Sequence, residues 1–255
     1  MFGYRVRSKF NAYDLYLPPN HNGTIILFVP GLPGHPRKKD FAEKLVDRGY
    51  GFLEMRFWGS WESDGVFTID NCLKSFLEAY NFAKKGKAKE LRFGNKVVWR
   101  CRKVVVVATS FGGVVALSAP IKESYRMLLL APLTHPRESK KSLRSVNGSD
   151  DLFYLLTKGY RNAYRGLNKV DWSNFLSGAS RLDPEKNIKY LRNKEIIIFH
   201  GTQDKVISPE ESRRFIAWAR TQGVKGIKYR LVRKAGHGSD LEKKGLKQIF
   251  SALKK

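Results

Sequence analysis

Ser110 is the residue with the clearest chemical signal. It ends an apolar run and is followed by small residues, in the stretch Val104-Val105-Val106-Val107-Ala108-Thr109-Ser110-Phe111-Gly112-Gly113. A four-valine run is typical of a strand buried on both faces, and the residues after Ser110 can open a helix. Ser110 would then lie on a sharp strand-to-helix turn, with small neighbours leaving room for a strained backbone. This pattern predicts a nucleophilic serine, although five residues also fit a buried strand followed by a plain glycine turn.

A serine hydroxyl is a weak nucleophile at neutral pH, so it needs a base and a group that orients the base. Asp204 follows a strand-like apolar run that begins at Glu195. His237 lies in a glycine-flanked loop between a short strand and the last predicted helix. Ser110, Asp204 and His237 would together support acyl transfer through the serine. The other histidines are isolated and show no metal-ligand spacing, so we expect neither a metal nor a cofactor.

These motifs resemble those of α/β-hydrolase-fold serine hydrolases, the esterase and peptidase superfamily. The G-x-S-x-G pattern of that family reads Ala108-Thr109-Ser110-Phe111-Gly112 here, and the chain order Ser, Asp, His is the same. The resemblance implies an oxyanion hole formed by the backbone N–H groups of Leu32 and Phe111. Leu32 belongs to Pro30-Gly31-Leu32, where the family often has His-Gly-x. Pro30 in place of histidine does not remove the donors, because they are backbone N–H groups.

The elements that must position these residues alternate along the chain, which predicts an α/β fold. We expect one domain, residues 1–255, with a doubly wound and mostly parallel sheet covered by helices on both faces. Helix-compatible apolar spacing is found in residues 40–48, 68–85, 111–119, 209–221 and 241–254. Residues 4–7 and 12–17 could add an antiparallel edge, and the Gly-Asn turn within residues 92–99 predicts a small hairpin.

Residues 134–190 are the longest departure from this alternation, and the resembled fold commonly carries a cap there. A helix start at residues 149–151 and a second short helix at 171–176 predict a small helical cap with an apolar underside. Such a cap could form an acyl pocket. Candidate substrate contacts are Phe153, Tyr160 and Trp172 of the cap, with Trp58 and Trp61 of an aromatic loop. The same residues could instead only anchor the cap and the loop.

The chain is strongly basic, with 48 Lys and Arg against 23 Asp and Glu and a formal net charge of +25. The excess is spread along the chain, which favours a generally cationic surface over one designed groove. Such a surface could make weak contacts with polyanions or with acidic membrane surfaces. No nucleic-acid-binding motif accompanies the charge, so we expect no specific nucleic-acid partner. The sequence indicates no oligomeric state.

Cys72 and Cys101 are too few for a disulfide framework, and we expect two reduced thiols. The amino terminus lacks a signal-peptide pattern, and no segment has the apolar length of a membrane span. These features predict a cytoplasmic protein.

The resemblance implies a serine hydrolase that cleaves carboxylic esters through an acyl-serine, with a small-molecule ester or acyl substrate. A nucleophilic serine does not separate esters from thioesters or amides, so a thioesterase or a peptidase of the same fold stays open. A third hypothesis, from another class, is a non-catalytic member that binds polyanions.

Overall fold

Ten strands are found in the computed structural model, which describes residues 2–36, 39–137 and 151–254. They are β1 (Phe2–Arg7), β2 (Ala12–Leu17), β3 (Thr24–Val29), β4 (Gly51–Met55), β5 (Lys87–Lys89), β6 (Lys96–Val98), β7 (Lys103–Thr109), β8 (Arg126–Leu130), β9 (Glu195–Gly201) and β10 (Ile227–Val232). Eight of them form one sheet in the order β1-β2-β4-β3-β7-β8-β9-β10. Strands β4, β3, β7, β8, β9 and β10 are parallel neighbours, whereas β1 and β2 are antiparallel.

The helices of the described residues cover both faces of the sheet. They are α1 (Lys39–Val46), α2 (Ile69–Lys85), α3 (Phe111–Leu117), α4 (Asp151–Tyr154) with a π-helical turn (Leu155–Gly159), α5 (Lys169–Ser177), α6 (Pro209–Thr221) and α7 (Ser239–Leu253), with a short 3₁₀-helix at Ile188–Leu191. Helices α1 and α7 pack on one face, and α2, α3 and α6 pack on the other. The predicted α/β fold with a mostly parallel sheet is confirmed.

Strand β7 shows why the valine run belongs in the middle of this sheet. Val104, Val106 and Ala108 lie in the core under α2 and α3, while Val105 and Val107 lie in the core under α1 and α7. Successive side chains of a strand point to opposite faces, so a strand covered on both sides is apolar throughout.

Local signals set the helix ends. The Thr68 side chain accepts a hydrogen bond from the Asn71 N–H at the start of α2, and Gly86 ends that helix in the left-handed conformation, with φ 72°. At α5 the Asn168 side chain accepts from the Asp171 N–H, and Gly178 ends the helix with φ 75°. Side-chain acceptors at the N-cap and a left-handed glycine at the end satisfy backbone groups that the helix cannot.

The expected antiparallel edge is confirmed by β1 and β2. A hairpin is also present, but it is larger than predicted, because its first strand, β5, precedes residues 92–99. The predicted helix start at residues 149–151 lies mostly outside the described residues, and so do residues 138–150 of the predicted cap. Within the described ranges, no helix combines the length and the apolar character needed to cross a membrane.

Candidate active site

Ser110 occupies a strained turn between β7 and α3. Its backbone angles are φ 50° and ψ −118°, in a region that L-residues rarely adopt. The Ser110 N–H donates to the Leu130 carbonyl oxygen at 3.1 Å, and the Ser110 carbonyl oxygen accepts from the Leu133 N–H at 2.9 Å. The end of β8 and the turn after it therefore hold the strained conformation in place.

Two glycines are required by close packing around this serine. A Cβ atom added at Gly112 would lie 2.4 Å from the Val29 carbonyl oxygen, so α3 packs directly on the end of β3. A Cβ atom at Gly31 would lie 3.0 Å from the Cβ atom of Ser110. The loop that follows β3 and carries Leu32 therefore runs directly beside the serine.

The two predicted oxyanion donors flank Ser110 in this arrangement. Phe111 is the first residue of α3, and Leu32 follows the glycine that contacts the serine. Over the described part of the chain, neither N–H group donates to a protein acceptor. Both are thus available to an oxygen atom bound beside Ser110. The Ser110 hydroxyl likewise makes no hydrogen bond to any described residue, so it can donate to a base.

His237 and Asp204 form a hydrogen-bonded pair at the same edge of the sheet. The distance from His237 Nδ1 to Asp204 Oδ2 is 2.7 Å. Ser110 follows β7, Asp204 follows β9 and His237 follows β10, and the carboxyl ends of these parallel strands meet at one edge. Because Nδ1–H donates to the carboxylate, the lone pair of a neutral His237 lies on Nε2. That tautomer is the one a general base needs.

Close approach of two backbones makes this pair possible. A Cβ atom added at Gly201, the last residue of β9, would lie 2.3 Å from the Ala235 carbonyl oxygen in the loop before His237. Within that loop, the Gly236 N–H donates to the Asp240 carboxylate at 2.6 Å. Asp240 thus shapes the loop and is not the partner of the histidine.

The Asp204 carboxylate is buried and well satisfied. Its Oδ1 atom accepts from the N–H groups of Val206 at 2.9 Å and of Ile207 at 3.0 Å. Burial raises the pKa of this carboxyl, but the hydrogen bonds from His200, His237 and Ile207 outweigh burial and lower the pKa well below its ordinary value. Asp204 is therefore ionised at neutral pH and can stabilise a protonated His237.

His200, near the end of β9, is predicted from the sequence only to pack beside the loop of Asp204, with no role in the chemistry. Its Nε2 atom lies 3.4 Å from Asp204 Oδ2. The sequence could have indicated this contact, because only four positions separate His200 from Asp204 and the chain turns tightly between them.

An aromatic cluster covers the loop after Leu32. The Tyr160 hydroxyl and His35 Nε2 are 2.8 Å apart, and the ring centroids of His35 and Trp61 are 5.6 Å apart. Tyr164 joins the cluster, with its ring 6.3 Å from that of Trp61, and its hydroxyl accepts from the Gly34 N–H at 2.9 Å. Two predicted substrate contacts, Trp61 and Tyr160, therefore lie together near the loop of Leu32, a predicted oxyanion donor.

A second row of rings leads from Phe153 to Phe111. Ring centroids are separated by 6.2 Å for Phe153 and Trp172, 5.7 Å for Trp172 and Phe175, and 5.7 Å for Phe175 and Phe111. Trp172 and Phe175 are buried, so part of this row packs into the core. Asp171 adds a polar anchor, since its carboxylate accepts from the Ile69 N–H at 2.7 Å.

Trp58 lies apart from both groups of rings. Its indole N–H donates to the Glu78 carboxylate on α2 at 2.8 Å, and its ring lies 4.6 Å from that of Phe10. These contacts attach the aromatic loop to α2 and to the turn after β1. We therefore leave Trp58 out of the pocket proposed below.

Comparisons with known proteins agree with this architecture. Residues 142–253, less than half of the chain, match the prolyl oligopeptidase family. This segment contains Asp204 and His237 but not Ser110. No curated protein sequence matches the chain.

Several solved structures are similar over the full length of the chain. Est1E from Butyrivibrio proteoclasticus has a TM-score of 0.64 at 19% identity, covering 100% of this chain and 96% of Est1E; it has also been solved with ferulic acid bound. An esterase from Pyrococcus furiosus has a TM-score of 0.64 at 14% identity, covering 99% and 89% of the two chains. A lipase/esterase from Lactobacillus plantarum has a TM-score of 0.61 at 11% identity, covering 99% and 98%. With its sheet order and its strand-to-helix turn at Ser110, the chain is a protein of the α/β-hydrolase fold.

Proposed function

We propose that this protein is a serine hydrolase that cleaves carboxylic esters through an acyl-serine intermediate. One observation carries the proposal. Ser110 lies on a strained turn with two free backbone N–H groups beside it. At the same edge of the sheet, the Nδ1 atom of His237 lies 2.7 Å from the buried Asp204 carboxylate.

The reaction follows from these groups. His237 Nε2 takes the proton of the Ser110 hydroxyl as the Ser110 oxygen attacks the carbonyl carbon of the ester. Asp204 holds the imidazole and stabilises its cation. The N–H groups of Leu32 and Phe111 donate to the oxyanion of the tetrahedral intermediate. The protonated His237 then gives its proton to the leaving alcohol, and a water molecule, activated by the same histidine, hydrolyses the acyl-serine.

We assign the cap a role in binding the acyl group. In this proposal residues 1–255 form one domain, and residues 134–190 form the cap. Tyr160 of its described part lies next to Trp61 of the aromatic loop, with ring centroids 6.1 Å apart, and Phe175 of α5 lies next to Phe111, with ring centroids 5.7 Å apart. These rings offer an apolar surface beside the reacting serine. The ferulic acid bound to Est1E supports an ester with an aromatic or apolar acyl group as the substrate class.

A peptidase is the second candidate, because the match over residues 142–253 is to the prolyl oligopeptidase family. Esters come first, since similar full-length structures include an esterase from Pyrococcus furiosus and a lipase/esterase from Lactobacillus plantarum. A p-nitrophenyl ester and a p-nitroanilide of the same acyl group separate the two. Faster turnover of a proline-derived anilide than of the matching ester would favour the peptidase.

Labelling with a fluorophosphonate probe tests the proposal at its first step. The wild type should be labelled, and Ser110→Ala should not. Ser251→Ala, which changes an exposed serine of α7, is the matched control and should label like the wild type. A folded wild-type protein that fails to label would overturn the proposal and favour a non-catalytic member of the fold. Labelling of Ser110→Ala would assign the nucleophile to another residue.

A further inference from the structure

The β5–β6 hairpin lies outside the eight-stranded sheet and presents uncompensated positive charge. Residues 87–98, which form the hairpin, contain four Lys and Arg and a single acidic residue, Glu90. Glu90 is 7% exposed, and its carboxylate accepts from the N–H groups of Arg92 at 2.7 Å and Phe93 at 2.6 Å. The one carboxylate therefore faces inward and fixes the loop at the hairpin tip, while the cations face solvent.

Strand register places several cations on one outward face. Lys87 is paired with Val98, and Lys89 with Lys96, and all four side chains are exposed. Like charges directly opposite each other destabilise a strand pair. Two facing lysines on a short hairpin are thus an unfavourable arrangement in isolation, and an anionic partner would relieve it.

Exposed apolar side chains accompany these cations. Phe93 is 73% exposed, Val98 is 62% exposed and Leu91 is 50% exposed. The Arg92 guanidinium lies 5.1 Å from the centroid of the Phe93 ring, so a cation and an aromatic group share the tip. Basic residues next to exposed aromatic and aliphatic groups are typical of segments that bind at the surface of a bilayer.

We propose that the β5–β6 hairpin docks this protein on an anionic lipid surface. Phe93, Leu91 and Val98 enter the boundary between head groups and acyl chains, and the lysines of the outward face contact lipid phosphates. Lipid is favoured over nucleic acid because Leu91 and Val98 are aliphatic. Such side chains gain from an acyl environment but offer no ring on which a base could stack.

The hairpin lies beside β1, the outer strand of the large sheet. Glu90 forms a β-bridge with Val6, and the Leu91 N–H donates to the Arg5 carbonyl oxygen at 2.9 Å. In the sheet order β1-β2-β4-β3-β7, four steps of about 4.8 Å separate β1 from the strand that leads to Ser110, which is roughly 19 Å. Docking through the hairpin therefore engages the β1 side of the protein, remote from Ser110.

Vesicle sedimentation of the full chain tests this proposal. The wild type should bind vesicles of phosphatidylcholine with one third phosphatidylglycerol at low salt, and should not bind phosphatidylcholine alone. Replacing Lys87, Lys89 and Lys96 together by Glu should weaken binding by more than roughly tenfold. Phe93→Ser should weaken binding several-fold with the charge unchanged.

A matched variant separates the hairpin from the general charge of the protein. Replacing Lys225, Lys243 and Lys247 by Glu makes the same change in charge at exposed positions elsewhere. This variant should keep most of the affinity. Equal losses of vesicle affinity in the two triple variants would overturn the proposal. They would show that the positive charge of the whole surface, and not the hairpin, attracts the vesicles. Tighter binding of the wild type to a single-stranded oligonucleotide than to the anionic vesicles, lost in the hairpin variant, would overturn it in favour of nucleic acid.

Fluorophosphonate labelling of each variant shows that its fold is intact, because the hairpin is remote from Ser110. If the wild type does not label, circular dichroism serves the same purpose. Vesicle binding can therefore succeed or fail independently of the proposed esterase activity.

Discussion

His200 Nε2 lies 3.4 Å from Oδ2 of Asp204. The His200 ring is fully buried, with Nε2 also 2.9 Å from the Ile207 carbonyl oxygen and Nδ1 2.9 Å from the Ser212 hydroxyl. A carbonyl oxygen can only accept, so Nε2 carries the proton and Nδ1 accepts from Ser212. His200 is thereby held as a positioning residue for the carboxylate that orients His237.

Replacing His200 should alter the acid–base behaviour of the site. In His200→Phe, Asp204 Oδ2 loses one donor and presents more negative charge to His237. We expect kcat/KM for an ester to fall about tenfold and the acid limb of its pH profile to move to higher pH. Ser212→Ala removes only the contact at the far nitrogen and should have a smaller effect. A folded, active His200→Phe enzyme with the wild-type pH profile would show that His200 is structural only.

Asp204 and His237 should act as one unit with Ser110. Asp204→Asn replaces an acceptor by an amide that can donate, which favours the wrong tautomer of His237. We expect kcat/KM to fall by about 1,000- to 10,000-fold, with a similar or larger loss in His237→Ala. Steady-state kinetics with a p-nitrophenyl ester provides the measurement. Normal turnover of Asp204→Asn would assign the orienting role to another acid, and near-full activity of His237→Ala would remove the histidine from the mechanism.

Gly112 should be required for the turn at Ser110 to form. The Cβ atom of Gly112→Ala would lie 2.4 Å from the Val29 carbonyl oxygen, and neither backbone can move without disturbing β3 or α3. We expect a lower midpoint of thermal unfolding and loss of fluorophosphonate labelling. Gly245→Ala is the matched control. Its Cβ would make ordinary contacts, 3.5 Å from Val232 of β10 and 3.7 Å from Ile249 of α7, and helix propensity predicts a gain of about 0.5 to 1 kcal/mol. Destabilisation of both variants alike would contradict this explanation.

The cap and the surface charge should affect different substrates. If the rings of the cap bind the acyl group, kcat/KM should rise with acyl length up to a limit, by about 0.8 kcal/mol of binding free energy per buried methylene. If the net charge of +25 steers substrate, kcat/KM for an anionic ester alone should fall as salt is raised. A flat acyl-length profile would exclude the cap as an acyl pocket. Equal salt dependence for neutral and anionic esters would exclude steering.

Lys194 should make stability increase with pH in the alkaline range. Its side chain is 3% exposed, and burial lowers the pKa of the ammonium group to about 8. Between that value and the ordinary lysine pKa of about 10.4, the unfolded chain binds a proton that the folded chain does not. The free energy of unfolding therefore rises with pH across this window and is insensitive to this group below it.

Urea unfolding of wild type and Lys194→Met at several pH values from 7 to 10 measures this effect. The variant should lack the rise, because it has no group to titrate. Lys225→Met, a change at an exposed lysine, should behave as the wild type does. Parallel pH dependence in wild type and Lys194→Met would assign the rise to other groups.

The sequence by itself determined the class of the fold and the elements of the site that depend on local pattern. The valine run of β7 is explained by burial on both faces, and small residues around Ser110 mark a turn in which backbones approach closely. The spacing of apolar residues and the size of side chains are local properties of the sequence, so they can be interpreted without knowing which segments are neighbours in the fold. The order of Ser110, Asp204 and His237 was recognised through the resemblance to α/β-hydrolases.

Only the tertiary structure decided which distant residues meet. It brought His237 Nδ1 to Asp204 although 33 positions separate them, and it placed His200 against the same carboxylate. It also separated Trp58 from Trp61, two residues of one loop, by attaching the first to Glu78 on α2. Side-chain direction and contacts across the chain depend on how strands and helices pack, and packing is a property of the whole core rather than of any segment.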